Sequence, residues 1–271
     1  MGQKPCCNKG VEVNAQTIAA NTANDGAEQS AASGKAMLDG DISYEGSWLG
    51  MDKHGEGTLT LPDGAKYVGQ FCKDKKSGHG VYFYPSGSTY TGQWADDLQD
   101  GQGEERWADG SIFEGGFRAG EKHGRGRFVW ASLCRYEGEF DRNDMHGEGV
   151  YKWNDGRGYS GQWTQNTMAP SGKMWWSDGR TYVGEFCDGR KHGEGTLRWP
   201  DGRSYCGQWC DGKQHGTAIA CTARGLKRKS CWRNGKFVEW LGGVIDEEVQ
   251  QPHSSSTGND EATGFPVHID D

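Results

Sequence analysis

Residues 44–66 read YEGSWLGMDKHGEGTLTLPDGAK, and the pattern of this stretch returns in phase along most of the chain. Aromatic residues open a unit at Tyr44, Tyr67, Tyr90, Phe113, Tyr136, Tyr159, Tyr182 and Tyr205, every step being 23 residues without insertion. Two residues later stands glycine: Gly46, Gly69, Gly92, Gly115, Gly138, Gly161, Gly184, Gly207. A second aromatic follows four residues after the opener: Trp48, Phe71, Trp94, Phe117, Phe140, Trp163, Phe186, Trp209. A fixed period of this length marks a repeat architecture, in which each unit is one supersecondary element.

The first half of a unit alternates. Tyr44, Gly46 and Trp48 share one face, and Glu45, Ser47 and Leu49 share the other, which is the pattern of a half-buried strand. The second half repeats it, with Gly57, Leu59 and Leu61 on one side in the first unit and Gly149, Tyr151 and Trp153 in the fifth. Each unit is therefore a pair of antiparallel strands, closed by a turn that commonly reads Asp-Gly, as in Asp63-Gly64, Asp109-Gly110, Asp155-Gly156, Asp178-Gly179 and Asp201-Gly202. A lone hairpin is marginal in water, so the units must stack edge to edge and bury the aromatic stripe of one against the next. The strand glycine, lacking Cβ, is expected to leave room for a ring of the next unit to lie over the backbone.

The series YxGxW, then HGxG, then DG, carried here by Tyr44-Glu45-Gly46-Ser47-Trp48, His54-Gly55-Glu56-Gly57 and Asp63-Gly64, resembles the MORN repeat family. The resemblance covers residues 44–227 and implies an all-β protein: an elongated single-layer antiparallel sheet of stacked hairpins, twisted into a rod or trough. At ~4.8 Å between strands, such an array of about sixteen strands would extend roughly 75 Å. Several units depart from the pattern. Leu133 stands where unit four needs its turn glycine, Pro170 replaces the first glycine of GxG in unit six, and unit eight carries Ala218 for the second, with Thr222 for its terminal aromatic. Because proline cannot donate to a ladder, Pro170 is expected where its nitrogen faces no partner strand.

Around the repeats the chain divides as follows. Residues 1–36 read as a disordered tail, 37–43 as a lead-in, 44–227 as eight repeats, 228–250 as a degenerate half-repeat and cap, and 251–271 as a disordered acidic tail. In the half-repeat, Arg228, Ser230, Trp232 and Gly235 fall near the expected phase, and atypical end repeats commonly close a stack. Phe237, Leu241, Val244, Ile245 and Val249 recur at roughly helical spacing, so a short amphipathic helix is expected over the open end, against Gly242-Gly243.

Composition narrows the function. Gly is 45 of 271 residues and Trp 12, with hydrophobic residues only 33%, which argues against a thick two-layer aliphatic core. The net charge is −8, of which the repeats hold only −2 (23 Lys+Arg, 25 Asp+Glu in 44–227). That near-neutral body lacks the basic field that captures nucleic acid. No apolar run reaches membrane-span length, and nine cysteines without a CxxC pair suit neither a zinc cluster nor a secreted disulfide framework. His54, His123, His146, His192 and His215 share the eleventh position of their units, but equivalent positions in adjacent hairpins lie about 9.5 Å apart, too far to share one metal. GxG lacks the third glycine and following helix of a dinucleotide fingerprint, and no nucleotide-loop, HExxH, GxSxG or kinase motif occurs. The expectation is a non-enzyme without metal or cofactor.

The chain starts Met1-Gly2-Gln3-Lys4-Pro5-Cys6-Cys7. Gly2 resembles an N-myristoylation site, although Cys6 stands where Ser or Thr is preferred, and Cys6 and Cys7 are candidates for the palmitoylation that stable anchoring needs. Two basic triplets, Lys73, Lys75 and Lys76, then Lys227, Arg228 and Lys229, are candidate headgroup contacts. The resemblance implies a scaffold for protein partners or self-association, at membranes or cytoskeletal structures, in the cytoplasm. Its alternatives are a phosphoinositide-binding module, which the neutral repeats disfavour, or the targeting subunit of a phosphoinositide kinase or methyltransferase.

Overall fold

A computed structural model of the chain describes residues 32–245. Within them nineteen strands form a single antiparallel meander, each hydrogen-bonded to its neighbours in sequence, with both ends open. Unit one consists of β2 (Ser43–Leu49) and β3 (Asp52–Thr60), and β4 (Lys66–Cys72) begins unit two. Seven-residue first strands then alternate with nine-residue second strands as far as β16 (Ser204–Cys210) and β17 (Lys213–Cys221). The expected all-β single-layer architecture is what the chain adopts.

From unit two onward the two halves of a hairpin are joined by two-residue turns in which both residues have positive φ, such as Lys73-Asp74 (49° and 68°) and Arg142-Asn143 (48° and 72°). This twist matches that of the flanking strands. The Asp-Gly dipeptides mostly serve the other connection, between units, where Gly64 has φ 88° and its N–H donates to Leu61 O at 3.0 Å. Every second strand also bulges. Gly46 pairs with Gly57 and Trp48 with Lys53, so three residues of β3 oppose one of β2, and Gly55 inside the bulge takes φ 66°.

The glycine pair explains the core, and here the structure corrects the expectation. A Cβ on Gly46 would stand 2.4 Å from Gly57 Cα, and one on Gly57 would stand 2.4–2.6 Å from the Tyr44 ring. The ring over the glycine therefore comes from the same unit and not from the next. Its own unit and the next supply edges instead: Tyr44 meets Trp48 at 4.9 Å and Phe71 of unit two at 5.2 Å, both at 86°. This herringbone repeats through Tyr67–Trp94, Tyr90–Phe117, Phe113–Phe140, Tyr136–Trp163, Tyr159–Phe186 and Tyr182–Trp209 to Tyr205–Trp232. All eight openers are 0–1% exposed although the sheet has only one layer. Edge-to-face pairs add about 0.5–1.5 kcal/mol each beyond area burial.

Three strands extend the array beyond the expected sixteen. β1 (Ala32–Met37) pairs along the whole of β2, so residues 32–36 are an edge strand and not a tail. At the other end β18 (Lys227–Arg233) and β19 (Lys236–Ile245) form one more hairpin, with Trp232 edge-on to Tyr205. Among the described residues no helix covers that end: residues 237–245 lie in strand β19, which pairs with the free edge of β18, and that edge offers backbone partners that a helix could not use. Pro170 lies in the bulge of β13 (Thr167–Trp175), and the ladder to β14 (Thr181–Cys187) starts only at Ser171–Glu185, as its missing N–H requires. The expectations for residues 1–31 and 246–271, including Val249, lie outside the described residues.

Candidate interaction surface

The openers and second aromatics form the floor of the ring face. On that floor stands a third column, the residue just after each second strand: Tyr84, Trp107, Trp130, Trp153, Trp176 and Trp199, flanked by Leu61 and Thr222 at the ends of the series. These six are half-buried, whereas every floor ring except Trp48 is buried. Phe128 bridges Trp107 and Trp130 at 5.0 and 4.5 Å, and Tyr151 bridges Trp130 and Trp153 at 5.3 and 4.8 Å, giving an unbroken aromatic shelf across units three to five.

Cations lie on this shelf. In Trp153-Asn154-Asp155-Gly156-Arg157 the guanidinium carbon is 5.3 Å from the Trp153 centroid while Arg157 Nε donates to Asp155 at 2.7 Å. The same arrangement holds for Arg180 on Trp176 with Asp178, and for Arg203 on Trp199 with Asp201. The tenth position of the units reads Lys53, Lys76, Gln99, Lys122, Met145, Met168, Lys191 and Gln214. Lys76 Nζ lies 5.1 Å from the Tyr82 and Trp94 centroids, and Lys122 Nζ 4.8 Å from that of Trp107, within 2.9 Å of Glu105. Lys191 Nζ is 4.4 Å from Trp209 and 5.3 Å from Trp176. Burial lowers the Lys76 ammonium's pKa, and burial followed by the nearby Arg180 charge lowers that of Lys191 to about 8. Where the tenth residue is Met145 or Met168 the shelf opens into a cleft of about 360 Å³, lined also by Tyr151, Trp153, Trp163 and Phe186.

The opposite face is polar. A groove of about 510 Å³ runs over the glycine pairs there, between Glu114, Arg125, Arg127, Glu137, Glu148 and Ser160. Acids and bases alternate there, so it presents no field of one sign.

The structure does not gather the basic triplets. Lys73 sits in a turn, Lys75 reaches Asp96 at 3.0 Å, and Lys76 folds onto the rings. Arg228 takes the place of an opener, its guanidinium 4.6 Å from Trp240 with Nε buried and unpartnered, while Lys227 and Lys229 alternate to the other side of β18. Gly2, Cys6 and Cys7 lie outside the described residues. The eleventh-position histidines serve the backbone: Tyr136 Oη donates to His146 O and Tyr205 Oη to His215 O, both at 3.1 Å. Among the described residues no group of three or more His, Cys, Asp or Glu could hold a metal.

Sequence reading found the floor rings from their period. Of the shelf it singled out only Trp153 and the missing aromatic at Thr222, because the column is formed by one residue from each unit, 23 apart in sequence. Its signal was available in the repeated Trp-x-Asp-Gly-Arg.

No curated protein matches the chain. Among solved structures it is similar to the TCP10 domain of Danio rerio CPAP, at 12% identity over 77% of this chain and 99% of that one, with a TM-score of 0.45. The same domain in complex with a peptide of Danio rerio STIL gives 9% identity, 78% and 100% coverage and a TM-score of 0.42. A selenomethionine form of virginiamycin B lyase from Staphylococcus aureus gives 9%, 74% and 84%, with 0.17. Likenesses this distant carry no function to the chain. The family comparison is decisive: the MORN repeat model matches residues 44–66, 67–89, 90–112, 113–135, 136–156, 159–179, 182–202 and 205–219, so with its period, glycine pairs and ring herringbone this chain belongs to the MORN-repeat family.

Proposed function

We propose that the chain is a non-catalytic scaffold whose ring face binds protein partners. The observation that carries this is the column of half-buried aromatics from Tyr84 to Trp199, in unbroken ring contact from Trp107 to Trp153, on one side of a sheet whose other side is polar. Contiguous, partly exposed aromatic surface of this kind marks protein contact. The polar side chains of the repeats serve the fold, with Asp and Asn accepting from turn and strand N–H groups and Lys and Arg lying on rings, which supports the non-catalytic reading. Direct headgroup binding is the weaker reading because the basic triplets are split between faces.

A photo-crosslinking residue in place of Met168 on the ring face, introduced into the full chain in cells, is expected to give protein adducts. The same residue in place of Ser160 on the polar face is expected to give few, and Trp153→Ala should reduce the first set. Adducts from neither position, or lipid adducts alone, would remove the proposal. Attachment of the scaffold to a membrane from the cytoplasmic side, through an acylated Gly2 with Cys6 and Cys7, belongs to the same proposal and rests on the N-terminal sequence. Gly2→Ala should release the protein from membranes while leaving the crosslinks at position 168, and retention of the variant there would sink this part.

A further inference from the structure

The shelf has a repeat distance, a hydrogen-bonding character and a charge, and all three select the same ligand. Equivalent positions recur every two strands, roughly 9.6 Å. A polyproline II helix turns once in three residues and advances ~9.3 Å per turn. A proline-rich segment laid along the sheet axis would thus bring one residue in three over each of Trp107, Trp130, Trp153, Trp176 and Trp199.

The hydrogen-bonding groups agree. The deeper indoles are spent on the fold: Trp94, Trp163 and Trp209 donate to Gly80 O, Gly149 O and Gly195 O at 3.0–3.3 Å. Trp107, Trp130, Trp153, Trp176 and Trp199 donate to no group among the described residues, and none of their nitrogens is buried. With the Lys and Arg groups above them, the shelf offers donors at regular intervals. Proline has a carbonyl acceptor and no N–H, so a proline-rich chain is the donor-poor complement of such a surface.

The charge adds register. Lys53 and Lys122 each hold a carboxylate at 2.9 Å, whereas Lys76 and Lys191, both drawn onto the rings, have no ion pair among the described residues; of these two only Lys191 shares its ring with a second cation, Arg180 on Trp176. An unpaired ammonium beside a second cation calls for an acid from the ligand. Next to it the cleft at Met145 and Met168, lined by rings on one part and by Asn166, Thr167 and Asp188 on another, has room for a side chain of the ligand, and methionines adapt to what enters.

We infer that the ring face binds an extended proline-rich segment of a partner protein in the polyproline II conformation, lying across Trp130, Trp153 and Trp176 with an acidic residue at Lys191. The inference rests on the scaffold reading and names the chemistry of its partner. The guanidiniums held by Asp155, Asp178 and Asp201 keep three of the indoles in place before the ligand arrives, which lowers the ordering cost.

The test is calorimetric titration of the full chain with synthetic twelve-residue peptides: one proline-rich with a single glutamate, the same with glutamine, and one of matched charge in which glycine replaces proline. The glutamate peptide is expected to bind tightest, the glutamine peptide about tenfold more weakly, and the glycine peptide beyond detection. Lys191→Met, which installs the residue already present at positions 145 and 168, should bring the glutamate peptide down to the level of the glutamine one. Trp153→Ala with Trp176→Ala should abolish binding while the far-ultraviolet spectrum stays unchanged. Equal binding of the proline and glycine peptides, or of the glutamate and glutamine peptides, overturns the inference. So does binding that emerges only when residues 246–271 are removed, which would make the chain's own acidic tail the occupant, or self-association that shields the same tryptophans. If no peptide binds while position 168 still crosslinks to protein in cells, the inference fails and the scaffold reading stands.

Discussion

Leu133 holds φ at 66° in an exposed turn whose counterparts in other units use glycine. The turn keeps its bonds, Leu133 N–H donating to Trp130 O at 2.8 Å, so the whole cost falls on the backbone. Left-handed backbone costs a non-glycine residue about 1–2 kcal/mol. Leu133→Gly is therefore expected to stabilise the protein by roughly 1 kcal/mol, less the extra chain entropy of glycine, and a denaturant midpoint that falls would refute the strain. Unit four has a second weak point. In seven units the opener's hydroxyl donates to the carbonyl three residues on, as Tyr136 does to Glu139 O at 2.9 Å, but Phe113 has no hydroxyl. Phe113→Tyr should add about 1 kcal/mol by equilibrium unfolding. In contrast, Gly149→Ala drives a methyl into the Tyr136 ring and should cost about 1–3 kcal/mol. Ala218 stands at the equivalent position of unit eight and is 5% exposed.

At the scale of the hairpin, stacking is directed by more than rings. In most hairpins the second residue of the two-residue turn reaches back to the preceding unit: Asn143 N–H donates to Lys122 O at 3.1 Å while its side-chain oxygen accepts from Lys122 N–H at 2.9 Å. Asp74 does the same with Lys53, Asp97 with Lys76 and Asn166 with Met145. Where the residue is Gly120 or Gly212 only the backbone half remains. Asn143→Gly keeps the turn and its backbone bond, so it isolates the side-chain bond; a loss of about 1 kcal/mol is expected. Hydrogen exchange at Lys122 N–H should quicken with it, and unchanged protection there would show that the clamp contributes nothing. None of this was visible as an alternation, because the clamp joins residues 21 apart across two hairpins and the turn positions vary in type.

The whole molecule is a row of nearest-neighbour contacts, so stability is shared along the ring column from Tyr44 to Trp232. That column titrates. Burial first, then nearby acidic charges, raise the Tyr44 pKa to about 12, and burial first raises that of Tyr205 to about 12, while those of Tyr67, Tyr90, Tyr136, Tyr159 and Tyr182 also rise. A folded-state pKa above the unfolded value means stability that is complete below pH ~10 and is lost as pH climbs through the folded pKa. Alkaline unfolding is therefore expected to be cooperative and to coincide with tyrosinate absorbance, and gradual ionisation of all tyrosines near pH 10 with the sheet intact would contradict the buried column. Lys191 runs in the other direction. Its lowered pKa penalises the folded state at neutral pH and the penalty fades as pH rises from about 8, so Lys191→Met should stabilise most at pH 7 and least near pH 10.

The amino-acid sequence by itself determined the strands, their pairing order and the floor of rings. A 23-residue period with alternating halves permits only stacked hairpins, since neither half can bury its aromatics alone. Tertiary structure alone decided three things. Apolar residues 237–245 became a strand because the open edge of β17, continued by β18, offered a ladder, and residues 32–37 paired with β2 for the same reason at the other end. The glycine under each ring turned out to serve its own unit's tyrosine, because the bulge that swings Gly57 beneath Tyr44 is set by backbone geometry between strands. The shelf emerged only when turn residues from successive units were brought side by side, for a column across strands is written in no single strand.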